Sequence, residues 1–174
     1  MTEFRTAVPC DAQAIVDLAN AAYRGEGSKR GWTTEADLLG GQRTDQEQVL
    51  EKISAPDSRI DLVFSAEGTL VGCVHLKKEP QRTCYLGMLT VDPGCQSAGL
   101  GKQLLAHSED VARGWACRRL RITVIAARSE LLRFYERRGF RLTGKTEPFP
   151  EHDPRFGIPK VRGLRFLELV KELA

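Results

Sequence analysis

The sequence predicts an α+β fold, a mixed and mostly antiparallel central sheet of about seven strands flanked by about four helices. Three observations lead there. Short apolar runs are interleaved with stripes at helical spacing, in the order strand, two helices, three strands, helix, strand, helix, strand, strand. A tight-turn signal at Glu67-Gly68 joins two alternating runs as an antiparallel hairpin. The 174 residues, 41% hydrophobic and 28% charged, suit one domain over residues 1–174 with one core, and no repeat or low-complexity tract interrupts them.

Each element has its own signal. Residues 4–8 read as a short strand, and Pro9, Cys10 and Asp11 open a helix whose Ile15, Leu18, Ala19 and Ala22 share a face until near Gly25. Residues 23–43 are polar and glycine-punctuated, a loop long enough to suggest function. Thr44-Asp45-Gln46-Glu47 reads as a capping box for a helix that stops before Pro56. Ile60, Leu62 and Phe64 alternate, and residues 70–76 return as the hairpin partner. Residues 83–91 form a further strand, in which Gly87 signals either a bulge or a glycine under a bulky neighbour. Leu100, Leu104, Val111 and Trp115 stripe the next helix. A strand at 120–125, a helix at 129–138 and a strand at 140–143 follow. Residues 147–160, rich in proline and charge, read as a surface loop before a last strand at 164–170.

Charge and cysteine usage narrow the function. Net charge is +3, and Arg118, Arg119, Arg121, Arg128, Arg133, Arg137 and Arg138 crowd one region. These suit solvated faces that attract a polyanionic small ligand. A nucleic-acid surface would interleave aromatics, and only Phe134 and Tyr135 lie near, so no nucleic-acid partner is expected. Cys10, Cys73, Cys84, Cys95 and Cys117 are odd in number and form no C-x-x-C pair, which argues for reduced thiols. His75, His107 and His152 are isolated, so no metal is expected. No apolar run reaches a membrane span and the N-terminus lacks signal-peptide regions; a cytoplasmic location is the expectation.

The most informative stretch is 91–102, where an apolar strand enters a glycine-rich turn and then a helix. Gly99 and Gly101 let the backbone approach a ligand, the helix's first-turn N–H groups favour an anion, and Lys102 adds charge. The dinucleotide fingerprint fails because Lys102, Gln103 and Leu104 follow Gly101, and the P-loop fails because Leu100 stands where its lysine belongs. What remains is Q-x-x-G-x-G from Gln96. Downstream, Tyr135-Glu136-Arg137-Arg138-Gly139-Phe140 ends a helix as Tyr-x-x-x-Gly-Phe. Together, in this order, the two motifs resemble those of the GNAT superfamily of N-acetyltransferases. The resemblance covers nearly the whole chain and is strongest over 83–143.

That resemblance implies an acetyl-CoA-dependent N-acetyltransferase in which an amine attacks the bound thioester directly. It implies that Leu89 and Val91 offer backbone groups to pantetheine, with the Leu89 N–H as oxyanion donor, and that Gln96, Ser97, Ala98, Gly99, Leu100, Gly101 and Lys102 wrap the pyrophosphate. Phe134 and Arg128 are further cofactor candidates, although Arg128 stands where the family often has asparagine and reads equally as a surface charge. Tyr135 would hydrogen-bond the departing thiolate, because a phenol is a weaker acid than a thiol and gives up its proton only late. No carboxylate lies on the strand before the glycine turn, so the general base is either a water or a residue from elsewhere, with Glu26 and Glu35 of the long loop as the best candidates and His75 and Glu79 behind them. Tyr23, Trp32, Glu35, Gln42 and Arg43 are candidates for acceptor recognition, and Arg155 and Lys160 for an acceptor's carboxylate. A non-catalytic acyl-CoA sensor and a protein-modifying acetyltransferase are the competing readings, and a homodimer is compatible with the resemblance.

Overall fold

A computed structural model describes residues 3–174, with the Ser97 side chain outside the described set. Its elements are β1 (Phe4–Thr6), α1 (Ala12–Tyr23), β2 (Leu39–Gly40), α2 (Gln46–Ser54), β3 (Ser58–Phe64), β4 (Leu70–Glu79), β5 (Thr83–Val91), α3 (Leu100–Gly114), β6 (Arg119–Ile125), α4 (Ser129–Glu136), β7 (Arg141–Pro148), β8 (Ile158–Pro159) and β9 (Arg165–Glu172). Seven strands share one sheet in the order β1-β3-β4-β5-β6-β9-β7. All its pairs are antiparallel except β5–β6, which α3 connects. The expected α+β architecture is the one observed.

Alternation along the strands divides the interior into layers. Ile60 and Leu62 of β3 face Ile15 and Leu18 of α1 and Val49 of α2. Val63 turns to the opposite face, where Leu104, Leu105 and Ala112 of α3 pack with Phe134 and Tyr135 of α4. Both helical stripes are therefore satisfied against one sheet, the physical reason the periodicity was legible.

Three local readings need correction. The N-cap of α2 is Asp45, whose side chain accepts from the Gln48 N–H at 2.9 Å. The cap thus falls one residue later than Thr44 and is not a reciprocal capping box, since the Gln48 side chain donates to the Asp45 carboxylate at 2.8 Å. β7 continues to Pro148, beyond the expected stop at 143, since it follows β9 along the sheet edge. Residues 147–160 are not simply a loop: β8 pairs with β2, Leu39 with Pro159 and Gly40 with Ile158, so the two long segments clasp each other.

The strand register creates an opening in the middle of the sheet. His75 pairs with Gly87 and Cys73 with Thr90, so Val74 alone opposes Met88 and Leu89. This is a β-bulge, with Met88 at φ +50°. On its other side β5 pairs with β6 only at Thr83, Cys84 and Tyr85, and the strands part beyond. Gly87 meets the second expectation as well: an added Cβ would lie 2.7 Å from the Tyr85 ring that covers it.

Asp45→Ala should lower unfolding free energy by about 1 kcal/mol through loss of the cap, whereas Asp45→Asn should keep most of it. Urea denaturation with an unchanged slope reads the difference.

Candidate active site

Two chambers open where β5 and β6 part. One has a volume of about 300 Å³ and is lined by the glycine turn, Trp32, Val91 and Phe134. The other, about 580 Å³, is lined by Arg24, Arg43, Lys52, His75 and Tyr85 and by Phe149 and Phe156 from the late segment. Tyr23, Leu89, Arg128, Leu131 and Tyr135 line both and mark the junction. The sheet opening thus connects the glycine turn to a second, partly open cavity lined by several charged side chains.

The first chamber's floor is built by the turn. Gln96–Ala98 is a 3-10 turn, Gly99 follows at φ +77°, and the 15-residue α3 begins with no side-chain cap. The first turn thus has no side chain competing with a ligand for its N–H groups, of which that of Lys102 donates to the Gly99 carbonyl at 3.1 Å. A Cβ on Gly99 would meet no protein atom within 4 Å, so a side chain there would enter ligand space and strain the left-handed backbone rather than clash with the fold. Gln96 donates to the Val91 carbonyl at 3.2 Å, leaving its Oε1 buried without a partner. Gly101 and Lys102 line the chamber. Ala98 and Leu100 do not, Leu100 being buried in the core, so these two have only backbone to offer. The Ser97 side chain lies outside the described set.

Tyr135 is held by the helix ending that its motif encodes. Phe140 N–H donates to the Tyr135 carbonyl and Gly139 N–H to that of Glu136, with Gly139 at φ +90°. This is a Schellman cap, which needs glycine at its left-handed position and brings the Phe140 ring to 5.3 Å from that of Tyr135. The Tyr-x-x-x-Gly-Phe pattern is thus the sequence of a cap that fixes the tyrosine. Burial raises the Tyr135 pKa, with a further push from Tyr23, so its phenol stays protonated.

Beside it, Tyr23 donates its hydroxyl to the Leu89 carbonyl. Because Leu89 sits in the bulge, its backbone leaves the residue pairing with β4, while β6 has already diverged. The guanidinium carbons of Arg43 and Arg128 lie 5.4 and 5.8 Å from the Tyr23 ring centroid.

Glu35 is ion-paired to both Arg24 and Arg128, the latter at 2.9 Å. Burial alone would raise its pKa, but the Arg128, Arg24 and Arg43 charges outweigh burial and hold it below the usual range. Glu35 is a clamp between arginines rather than a free base. Arg128 is itself buried, which overturns the surface-charge reading, and its second guanidinium nitrogen donates to Thr33.

Other expected residues fall elsewhere. Glu26 faces solvent, 84% exposed at its side chain, pairs with Lys29 at 3.1 Å and lines neither chamber. Trp32 lines the glycine-turn chamber, tilted against Phe134, and not the second cavity where acceptor recognition was expected. Gln42 bonds Asp45, Arg155 bridges Asp45 and Glu47, and Lys160 donates to the Ala36 carbonyl, so these three tie loops together. Glu79 is engaged by Arg121 at 2.8 and 2.9 Å. His75 does line the second chamber, but burial, aided by Lys52, Lys77 and Arg43, pushes it down to about 4. Arg24 and Lys52 went unrecognised as site residues. Lys52 carried a signal, since it lies four residues after the inward-facing Gln48 on α2.

Known proteins agree with this geometry. The acetyltransferase (GNAT) family profile matches residues 13–140. The amino-acid acetyltransferases of two Neisseria meningitidis strains are 33% identical over 90 residues, 51% of this chain; the match spans 20% of those relatives' length. Among solved structures, an IAA acetyltransferase from Bacillus cereus superposes with a TM-score of 0.69 at 17% identity, covering 99% of this chain and 100% of the other. A Bacillus anthracis str. Ames protein in complex with acetyl coenzyme A gives 0.58 at 20% identity, over 70% of this chain and 66% of that one. At these identities the structural matches establish the fold.

Glu35→Gln should destabilise the protein by about 3–5 kcal/mol, because it leaves two buried guanidiniums short of a counter-charge. Glu26→Gln should stay within about 0.5 kcal/mol of wild type. Parallel urea titrations measure both, and equal midpoints would contradict the clamp.

Proposed function

This chain belongs to the GNAT family of acetyltransferases, and on that premise we propose that it moves an acetyl group from acetyl-CoA to a primary amine of a small molecule by direct attack in a ternary complex. The observation that carries this reading is the meeting of two chambers at Leu89 and Tyr135, which lets donor and acceptor occupy separate spaces around one reacting carbon. The clasp between β2 and β8 beside the second cavity favours a small acceptor over a protein chain.

In this reading the glycine turn and the N-terminus of α3 hold the pyrophosphate, with Lys102 as an added cation. The Leu89 N–H donates to the carbonyl oxygen as negative charge develops on it, and the hydrogen bond from Tyr23 to the Leu89 carbonyl anchors the following peptide unit and with it the Leu89 backbone. The acceptor nitrogen forms its bond to the acetyl carbon while the C–S bond breaks, and the electron pair leaves on sulfur. Among the described residues, the Tyr135 hydroxyl has no side-chain or main-chain hydrogen-bond partner, which leaves it to donate to that sulfur. The amine must shed a proton, and at an ordinary pKa of about 10 only about a thousandth of it is neutral at pH 7. The second chamber is lined by four cations and two carboxylates, one of them the clamped Glu35, so its charge disfavours an ammonium ion. Water then carries the proton away.

Direct attack is favoured over an acetyl-cysteine route by chemistry as well as position. No described residue lining either chamber is a cysteine. Burial pushes the Cys73 and Cys84 thiols up to about 12, far from thiolate at neutral pH.

Release of CoA thiol from acetyl-CoA across pooled amines tests the reading. Tyr135→Phe should lower kcat about tenfold or more with little change in acetyl-CoA affinity, the expected loss for a hydrogen bond made in the transition state. Gly99→Val should instead weaken acetyl-CoA binding. Equal turnover by Tyr135→Phe would remove the tyrosine from the mechanism.

A further inference from the structure

The second chamber contains charge that its own walls do not neutralise. Among the described residues, Arg24 and Arg128 share Glu35, but neither Arg43 nor Lys52 forms an ion pair, although both line the cavity and both are half-buried. Glu147, the other carboxylate of the lining, pairs with neither. Asp45, the N-cap of α2, is occupied by its cap and by Arg155.

Rigid parts of the fold present these two cations. Asn20 of α1 accepts from the Arg43 N–H at 2.6 Å and from the Thr44 N–H at 3.2 Å, pinning the backbone there. Lys52 projects from α2, and burial followed by the like charge of Arg43 lowers its pKa. His75 between them stays neutral and adds no charge of its own. Placing two cations close together in a half-buried cavity costs energy that an incoming anion would relieve. Arg43 also stacks near the Tyr23 ring, whose hydroxyl reaches Leu89, so this cation lies close to the proposed reacting position, and Lys52 lines the same cavity.

We propose that the acceptor is a small amine that also bears a carboxylate, and that Arg43 and Lys52 bind this carboxylate so that the amine points to the junction at Leu89 and Tyr135. The proposal rests on the acetyl-transfer reading for its amine, and on the second chamber alone for its carboxylate. A planar carboxylate matches the two-pronged guanidinium of Arg43, while Lys52 supplies a point charge to the remaining lone pairs. Arg155 and Lys160, the cations expected from sequence for this task, are spent on loop contacts.

Two measurements on the full chain separate this proposal from the acetyl-transfer reading. The first is CoA-thiol release with single amino acids and their matched carboxamides. Carboxylates should be preferred in kcat/KM by at least about tenfold, the worth of one charge-assisted hydrogen bond. Arg43→Gln and Lys52→Met should erase that preference by raising KM for the carboxylate, with the KM for acetyl-CoA and the melting temperature unchanged. The second is calorimetry of the same amino acids against CoA-saturated protein, which needs no turnover. Binding that depends on Arg43 and Lys52 without catalysis would sustain the carboxylate site and sink the acetyl-transfer reading. Carboxamides used as well as carboxylates, a preference that survives both substitutions, or no binding of any amino acid would overturn the proposal.

Discussion

The bulge at Met88 and Leu89 governs the rest of the molecule. A strand that pairs fully on both sides has no backbone to spare and no gap beside it. By setting two residues of β5 against one of β4, the bulge increases local twist and turns β5 away from β6 after Tyr85. The gap becomes the passage between the two chambers, and the Leu89 peptide, released from ladder pairing, becomes a group that can face a ligand. The glycine turn then begins only a few residues beyond the end of β5, so one backbone irregularity fixes the spacing between the turn and the opening.

Around this passage the protein keeps charge ordered rather than diluted. Glu35 locks Arg24 and Arg128, and through Arg128 it ties the long segment after α1 to the start of α4. That segment is held again by the β2–β8 clasp and by Asn20. A polar loop of this length would ordinarily wander; here buried ion pairs and a short ladder give it one arrangement. The same pairs consume the carboxylate that sequence reasoning would have used as a base, so structural order and proton transfer compete for one glutamate and order wins.

Much of this was legible in the sequence, and for identifiable reasons. Helical stripes and strand alternation record burial against a sheet, so α1, α3 and β5 were placed closely. Gly99 and Gly139 record left-handed backbone that few other residues tolerate, which is why both motifs stood out. Glu26 and Glu35 could not be told apart, because exposure and burial of an acid in a polar loop depend on partners far along the chain, here Arg128. The same holds for Lys52 and Arg24, whose helices show their apolar faces plainly but not which cations end in a cavity. The cap at Asp45 was misplaced by one residue because Thr44 and Asp45 are both good capping residues and only tertiary geometry chooses between them.

In the proposed mechanism, the opened sheet presents one reacting position to two chambers. A crystal structure of the protein with CoA tests it most directly. The pyrophosphate should lie on the turn at Gly99, the pantetheine arm alongside β5 at the bulge, and the thiol within hydrogen-bond distance of the Tyr135 hydroxyl. A CoA whose arm runs outside the β5–β6 gap, with its sulfur remote from Tyr135 and Leu89, would contradict it.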